Sequence, residues 1–297
     1  MKITVIGSGT MGSGIAHVFA QYGHDVALID NSRAALEKGL DSIKTNIDRQ
    51  IKKGTLSEND KKDIVRKISL HTEVETAVEQ AELCVEAATE NLRVKLDLFR
   101  QLDKFTIPSC ILATNTSSIS ITSIANETKR PDKVIGMHFM NPVPLMKLVE
   151  VIKGKDTSAE TTEKIVGLTV QIDKVPVEVN DSPGFVANRI LIPMINEAIF
   201  SLYEGVAGIT EIDTVMKLGM SHPMGPLQLA DFIGLDICLA IMKVLYTGFN
   251  DEKYRPCPLL VKMVETGNLG VKTGCGFYDW NKSTKETLIP SDIQINL

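Results

Sequence analysis

The chain has 297 residues, enough for about two domains. At 43% hydrophobic and 23% charged it has an ordinary globular composition, and its net charge of −5 gives no sign of a nucleic-acid or bulk membrane partner. Cys84, Cys110, Cys238, Cys257 and Cys275 show no C-x-x-C spacing, which argues against a disulfide framework or a zinc site and fits a reducing cytoplasm. The N-terminal residues run straight into a strand with no signal-peptide pattern. No apolar stretch approaches the roughly 18 to 20 residues that span a bilayer.

Lys2 to Ile6 reads as a buried strand, followed by Gly7-Ser8-Gly9-Thr10-Met11-Gly12. From Ser13 the apolar spacing becomes helical through Ile15, Val18 and Phe19. Val26 to Ile29 is a second buried strand, closed by Asp30. Strand, glycine turn, helix, strand and carboxylate fit within the ~30 residues of a βαβ unit. Gly7 permits the tight turn, Gly9 lets the backbone approach a pyrophosphate, and Gly12 lets helix and strand pack closely. The helix start at Thr10, Met11 and Gly12 offers N–H donors to the anion. Asp30 accepts from ribose hydroxyls and repels a 2′-phosphate, which favours NAD over NADP, although Arg33 is near enough to meet that phosphate.

Residues 32 to 68 read as a long charged helical pair, with Leu36, Leu40, Ile43, Ile47 and Ile51 at helical spacing and Lys52-Lys53-Gly54 ending the run. On physics alone Lys52 and Lys53 are a solvated helix end favoured by the dipole. A strand follows at Leu83 to Ala88, then Thr89-Glu90-Asn91. A helix carries Val94, Leu96, Leu98, Phe99 and Leu102, and the strand Ile111 to Thr114 ends in Asn115-Thr116-Ser117-Ser118. Open α/β sheets bind ligands at the carboxyl ends of their strands, where Glu90, Asn115 and Ser117 fall. Asn115 and Ser117 read equally well as turn residues, and Ser118 reads as a helix cap.

His138 sits inside the apolar run Val134 to Met140, which reads as a buried strand. After Asn141-Pro142-Val143-Pro144 a second apolar run, Leu148 to Ile152, is interrupted by Glu150. A hairpin centred near Pro144 would set His138 opposite Glu150, since each is six positions away. The pair reads either as a structural contact or as a dyad. In a dyad the carboxylate fixes the imidazole tautomer and the second ring nitrogen takes a substrate proton. The five histidines show no metal-ligand spacing.

Asn180-Asp181-Ser182-Pro183-Gly184-Phe185 breaks the alternation of strands and helices, and places a domain boundary near residue 183. Beyond it the chain reads as almost wholly helical, over residues 185–204, 209–217, 231–246 and 258–265, with Pro193 expected to kink the first helix. Asn188 is a lone amide on an apolar helix and needs partners; the dyad across an interdomain cleft is one candidate. Met194, Met216, Met220, Met224, Met242 and Met263 read as core packing and a subunit interface. The residues from Asn281 read as a loose tail.

The set GSGTMG, NTSS, GMHFMNPVPLMKLVEV, DSPGFVANRIL, HPMGP, DFIGLD and GFYDW resembles the 3-hydroxyacyl-CoA dehydrogenase family, most closely its stand-alone bacterial 3-hydroxybutyryl-CoA members, over residues 1 to about 280. The resemblance implies an α/β fold. A Rossmann-type dinucleotide-binding domain (residues 1–183) would precede a smaller all-helical substrate and dimerisation domain (residues 184–297) of a homodimer. It implies reversible oxidation of the (S)-3-hydroxyl of an acyl-CoA thioester by NAD. By position, His138 is then the general base and Glu150 its orienting carboxylate, while Ser117 and Asn188 bond the substrate. Glu90, Lys95, Asn115, Ser117 and Asn141 join the cofactor contacts, although Lys95 alone would read as a solvated helix residue and Asn141 as a turn-former. Lys52 and Lys53 lie near the CoA phosphates, which reverses the reading of them as merely solvated. Met140 and Cys275 depart from the family pattern. Two rivals remain: a dehydrogenase of free 3-hydroxy acids, which would lean on a lysine where this chain has Asn188, and a non-catalytic nucleotide-binding relative.

Overall fold

The computed structural model describes residues 1–281, so of the tail expected from Asn281 only Asn281 itself, bonded to Asp279 and Gly274, is described and the rest lies outside the described residues. The chain divides into two compact units, Met1–Ser182 and Pro183–Leu297. In chain order the first unit holds β1 (Lys2–Ile6), α1 (Thr10–Gln21), β2 (Asp25–Ile29), α2 (Arg33–Lys52), α3 (Glu58–Arg66), β3 (Ile68–His71), α4 (Val74–Val78) and β4 (Leu83–Glu86). There follow α5 (Leu92–Phe105), β5 (Ile111–Thr114), α6 (Ile121–Ala125), β6 (Val134–Phe139), β7 (Leu148–Lys153), α7 (Ala159–Gln171) and β8 (Val175–Asn180).

These strands form one sheet in the order β3-β2-β1-β4-β5-β6-β7-β8. The first six are parallel, β7 is antiparallel to β6, and β8 runs parallel to β7. The order reverses beside β1, so β1 and β4 flank the switch point at which such sheets bind ligands. Helices cover both faces, which is why β4, β5 and β6 are buried at every position and read as continuous apolar runs. The first-unit core joins Ile3, Val5, Phe19, Leu28, Leu83, Val85, Ala113, Ile135, Met137 and Val151.

Local chemistry sets the helix ends. Ser32, Ser57, Asn91, Ser120 and Ser158 each accept a backbone N–H at a helix start, and Ser57 forms a full capping box with Asp60. Ser118, read from sequence as a cap, is none: its hydroxyl donates to Glu90 at 3.2 Å and Ser120 caps α6.

The second unit holds α8 (Ala187–Tyr203), α9 (Ile209–Gly219), α10 (Pro226–Ile233), α11 (Leu235–Phe249) and α12 (Pro258–Glu265). It has its own core, in which Ile192, Ile199, Leu227, Leu235, Met242, Leu260 and Phe277 meet. The single helix expected over residues 231–246 is two, separated at Gly234, whose φ of 102° ends one helix and begins the next. No helix among the described residues is long and apolar enough to cross a membrane.

Candidate active site

The glycine turn follows β1 directly. Gly7 has φ 101°, and a Cβ there would stand 2.5 Å from the Ala87 carbonyl oxygen beyond β4. A Cβ on Gly12 would stand 1.8 Å from the Gly7 oxygen, so only glycine lets α1 approach the turn. A Cβ on Gly9 meets nothing within 4 Å. Gly9 caps α1 without any side-chain hydrogen bond, which leaves the N–H groups of Thr10, Met11 and Gly12 facing an open approach. That glycine-bordered donor set, exposed at Gly9 and Thr10, fits a pyrophosphate. Asp30 stands just past β2, where Ser8 donates to Oδ2 through its N–H (2.9 Å) and hydroxyl (2.8 Å), and Ser32 N–H donates to Oδ1 at 3.2 Å. Oδ1 keeps acceptor capacity for a ribose hydroxyl. Arg33 pairs with Glu37 at 3.1 Å.

Beyond β4 and β5 lies a charged cluster that sequence reasoning only half found. Lys95 is buried at 1% exposure, so it is not a solvated helix residue. Its ammonium donates to Glu86 at 2.7 and 2.9 Å and lies 3.3 Å from Glu90. Glu90 gathers the turn after β5, accepting from the Thr116 hydroxyl (2.6 Å), Ser117 N–H (3.0 Å) and the Ser117 hydroxyl (3.3 Å). Burial alone would raise the Glu90 pKa. The Lys95 charge, the Thr116 hydroxyl and the Ser117 N–H outweigh it and hold the carboxyl below its ordinary value. Asn115 Oδ1 accepts the N–H of Phe139 at 2.9 Å and so ties this turn to β6 one residue from His138.

The register of β6 and β7 pairs His138 with Glu150, the pairing that equal distances from Pro144 predict. His138 Nδ1 is 2.7 Å from Glu150 Oε2, and the two are 8% and 2% exposed. Nδ1 is thus the ring nitrogen turned to the carboxylate. The connecting loop contains a cis Asn141–Pro142 bond, and Asn141 is exposed on it. Lys174 secures the far side of that loop by donating to the carbonyls of Val143 (2.6 Å) and Met146 (2.7 Å). Burial, helped by the Lys147 charge and opposed by Asp173, lowers the Lys174 pKa to about 8.

Lys52 and Lys53 are exposed at the C-terminal end of α2. Asn188 is half-buried in the first turn of α8, in the second unit. Of the methionines, Met242 and Met263 are core residues, whereas Met220 is 59% exposed. Cys275 donates to Asn268 at 3.1 Å, and Met140 is half-buried at the end of β6. Among the described residues, no group of three or more His, Cys, Asp or Glu is placed to hold a metal.

The motifs of the second unit turn out to build a buried carboxylate frame. Asp213 accepts the N–H groups of Leu227 (2.8 Å) and Gln228 (2.9 Å) at the start of α10 and the Tyr278 hydroxyl (2.7 Å). Asp231 accepts the N–H groups of Phe277 and Tyr278 and the indole of Trp280, each at 2.9 Å. Burial raises the Asp231 pKa against the pull of those three donors. Gly225 and Gly276 are required because a Cβ at either would strike the Asp213 or Asp231 carboxylate. HPMGP, DFIGLD and GFYDW are thus one packing unit.

Comparison with known proteins agrees with this architecture. Residues 2–182 match the family model of the 3-hydroxyacyl-CoA dehydrogenase NAD-binding domain, and residues 184–280 match that of its C-terminal domain. A protein described as a probable 3-hydroxybutyryl-CoA dehydrogenase of Bacillus subtilis is 54% identical over 283 residues, covering 95% of this chain and 98% of its own. The 3-hydroxybutyryl-CoA dehydrogenase of Clostridioides difficile is 54% identical over 282 residues, covering 95% and 100%. The crystal structure of (S)-3-hydroxybutyryl-CoA dehydrogenase from Ralstonia eutropha superposes with a TM-score of 0.91 at 49% identity, covering 95% of this chain and 99% of that one. With both of its domains matched in order, the chain belongs to the 3-hydroxyacyl-CoA dehydrogenase family.

Proposed function

We propose that the protein interconverts (S)-3-hydroxyacyl-CoA and 3-oxoacyl-CoA with NAD, with the four-carbon pair 3-hydroxybutanoyl-CoA and acetoacetyl-CoA as its substrates. The single observation that carries this reading is the 2.7 Å His138–Glu150 hydrogen bond, in a chain whose relatives of matching length bear that name. His138 Nε2 takes the 3-hydroxyl proton, and Glu150 holds the ring and steadies the imidazolium. Bound NAD supplies the hydride acceptor. Ser117 and Asn188 bond the reacting oxygen, and Lys52 and Lys53 meet the CoA phosphates. In the reverse direction the imidazolium returns its proton to the forming alcohol.

Gly7, Gly9, Thr10, Met11, Gly12, Asp30, Glu90, Lys95, Asn115, Ser117 and Asn141 hold the dinucleotide. The Asp30 carboxylate, steadied by Ser8 and Ser32, and the engagement of Arg33 by Glu37 favour NAD over NADP. The enzyme is a cytoplasmic homodimer in this reading. The test follows NADH oxidation with acetoacetyl-CoA, free acetoacetate and no acyl substrate, then repeats the active arm with NADPH. Turnover with the thioester and NADH is expected. Turnover with free acetoacetate alone would favour the free-acid rival, and none in any arm the non-catalytic one.

A further inference from the structure

Glu86 closes β4 with a fully buried carboxylate, and three donor groups fill it with four hydrogen bonds. Oε1 accepts from Lys95 (2.7 Å) and the Ala88 N–H (2.7 Å), while Oε2 accepts from Lys95 (2.9 Å) and the Thr114 hydroxyl (2.6 Å). Two donors on each oxygen is about the full acceptor capacity of a carboxylate. Every partner lies at the carboxyl end of β4 or β5, or in the first turn of α5. That is the ligand end of the sheet, and β4 is a neighbour of β1 at the switch point.

Each partner leads onward to a group of the proposed site. The Ala88 bond fixes the backbone segment against which Gly7 lies, since a Cβ on Gly7 would be 2.5 Å from the Ala87 oxygen and 3.0 Å from the Ala88 nitrogen. The Thr114 hydroxyl accepts the Thr116 N–H at 3.1 Å and so sets the turn that carries Ser117. Lys95 reaches Glu90, whose Oε1 has four donors within 3.3 Å: the Thr116 hydroxyl, Ser117 N–H, and the Ser118 and Ser117 hydroxyls. One oxygen does not serve four donors at full strength. The longest of these is that of the Ser117 hydroxyl, at 3.3 Å.

A buried ion pair contributes little stability beyond well-packed apolar residues of the same volume. Packing alone therefore gives no reason for a carboxylate at this position. We propose that Glu86 is a positioning residue of the dehydrogenase site: it holds Lys95, Glu90 and the Ser117 turn in one arrangement without touching substrate. This rests on the acyl-CoA dehydrogenase reading, in which Ser117 meets the substrate.

The experiment is a double-mutant cycle in the full-length protein, Glu86→Gln with Ser117→Ala, read as kcat/KM for acetoacetyl-CoA and as NADH affinity by fluorescence titration. Wild type is assayed first. If wild type does not turn over the thioester, the dehydrogenase reading fails, and Glu86 is then judged by NADH affinity alone, where an unchanged value overturns its role. With an active wild type, Glu86→Gln is expected to keep its circular dichroism spectrum and to lose roughly tenfold or more in kcat/KM. Ser117→Ala should then cost far less in the Glu86→Gln background than in wild type, because interacting residues are not additive. Effects that multiply independently, or a Glu86→Gln enzyme within about twofold of wild type, overturn the proposal. Should Glu86→Gln fail to fold, Glu86→Asp keeps the charge while drawing the carboxylate back from its donors, and it enters the same cycle with the same outcomes deciding.

Discussion

His138 and Glu150 face each other on neighbouring strands, where neither side chain is solvated by bulk water. A buried carboxylate with one hydrogen-bonded imidazole keeps that imidazole in a single tautomer, and positioned acid–base catalysis contributes ~10²–10⁴-fold. His138→Gln is therefore expected to retain the fold and NADH binding while kcat falls by at least that order; turnover near the wild-type value would remove His138 from the chemistry. Glu150→Gln is expected to lower kcat and move the pH profile, and an unmoved profile would mean that the carboxylate does not govern the histidine. The sequence signal for Glu150 was an acid interrupting an apolar strand. Glu86 carries the same signal at the end of β4 and went unread, because its partner Lys95 lies on a helix. Lys95 is buried while its neighbour Val94 is 44% exposed, an orientation set by how α5 docks and absent from residue spacing.

At the scale of the element, the second and third glycines of the turn do different work. Gly9 has φ −65°, and a methyl group there meets no protein atom within 4 Å. Gly9→Ala should leave the melting temperature unchanged and weaken NADH binding. Gly12→Ala should lower the melting temperature as well, because its methyl group would overlap the Gly7 carbonyl. Equal melting temperatures for the two variants would refute this division.

Helix α1 also buries His17, whose Nδ1 has no hydrogen-bond partner among the described residues, and burial lowers its pKa from 6.5 to about 4. A folded pKa below the unfolded one means that the unfolded chain binds more protons in between. His17 thus favours the folded state fully above about pH 6.5, and this contribution fades as pH falls toward 4. The change is on the order of 3 kcal/mol across that window. In urea titrations, the stability difference between wild type and His17→Leu should shift in favour of Leu as pH falls from 7 to 4. A difference that stays constant with pH would show that His17 is not held neutral.

At the scale of the molecule, two hydrophobic cores form separately, one on the sheet and one among the helices of the second unit. The second unit nonetheless leaves Ile190 (66%), Val206 (73%), Val215 (59%) and Leu218 (81%) exposed. In the proposed homodimer, groups of this kind are the ones association would cover. Sedimentation is expected to give about twice the 32.5 kDa chain mass, and Leu218→Glu to shift the distribution toward the monomer. A monomeric wild type would end the dimer proposal.

Local pattern determined much of this protein. The βαβ start, the acid at Asp30, the apolar strands, the helical second half and the approach of His138 to Glu150 all follow from residue periodicity and turn chemistry, which act over a few neighbouring positions. Family motifs extended that to the 3-hydroxyacyl-CoA dehydrogenase family. Only the tertiary structure decided that Lys95 is buried on Glu86, that Ser120 rather than Ser118 caps α6, and that Asp213 and Asp231 knit three motifs of the second unit together. Apart from the Ser120 cap, which is local, those contacts join residues between 9 and 65 positions apart or depend on which face a helix turns inward. Burial then selects the charged partners, because an ionised group removed from water persists only where matched donors or charges meet it.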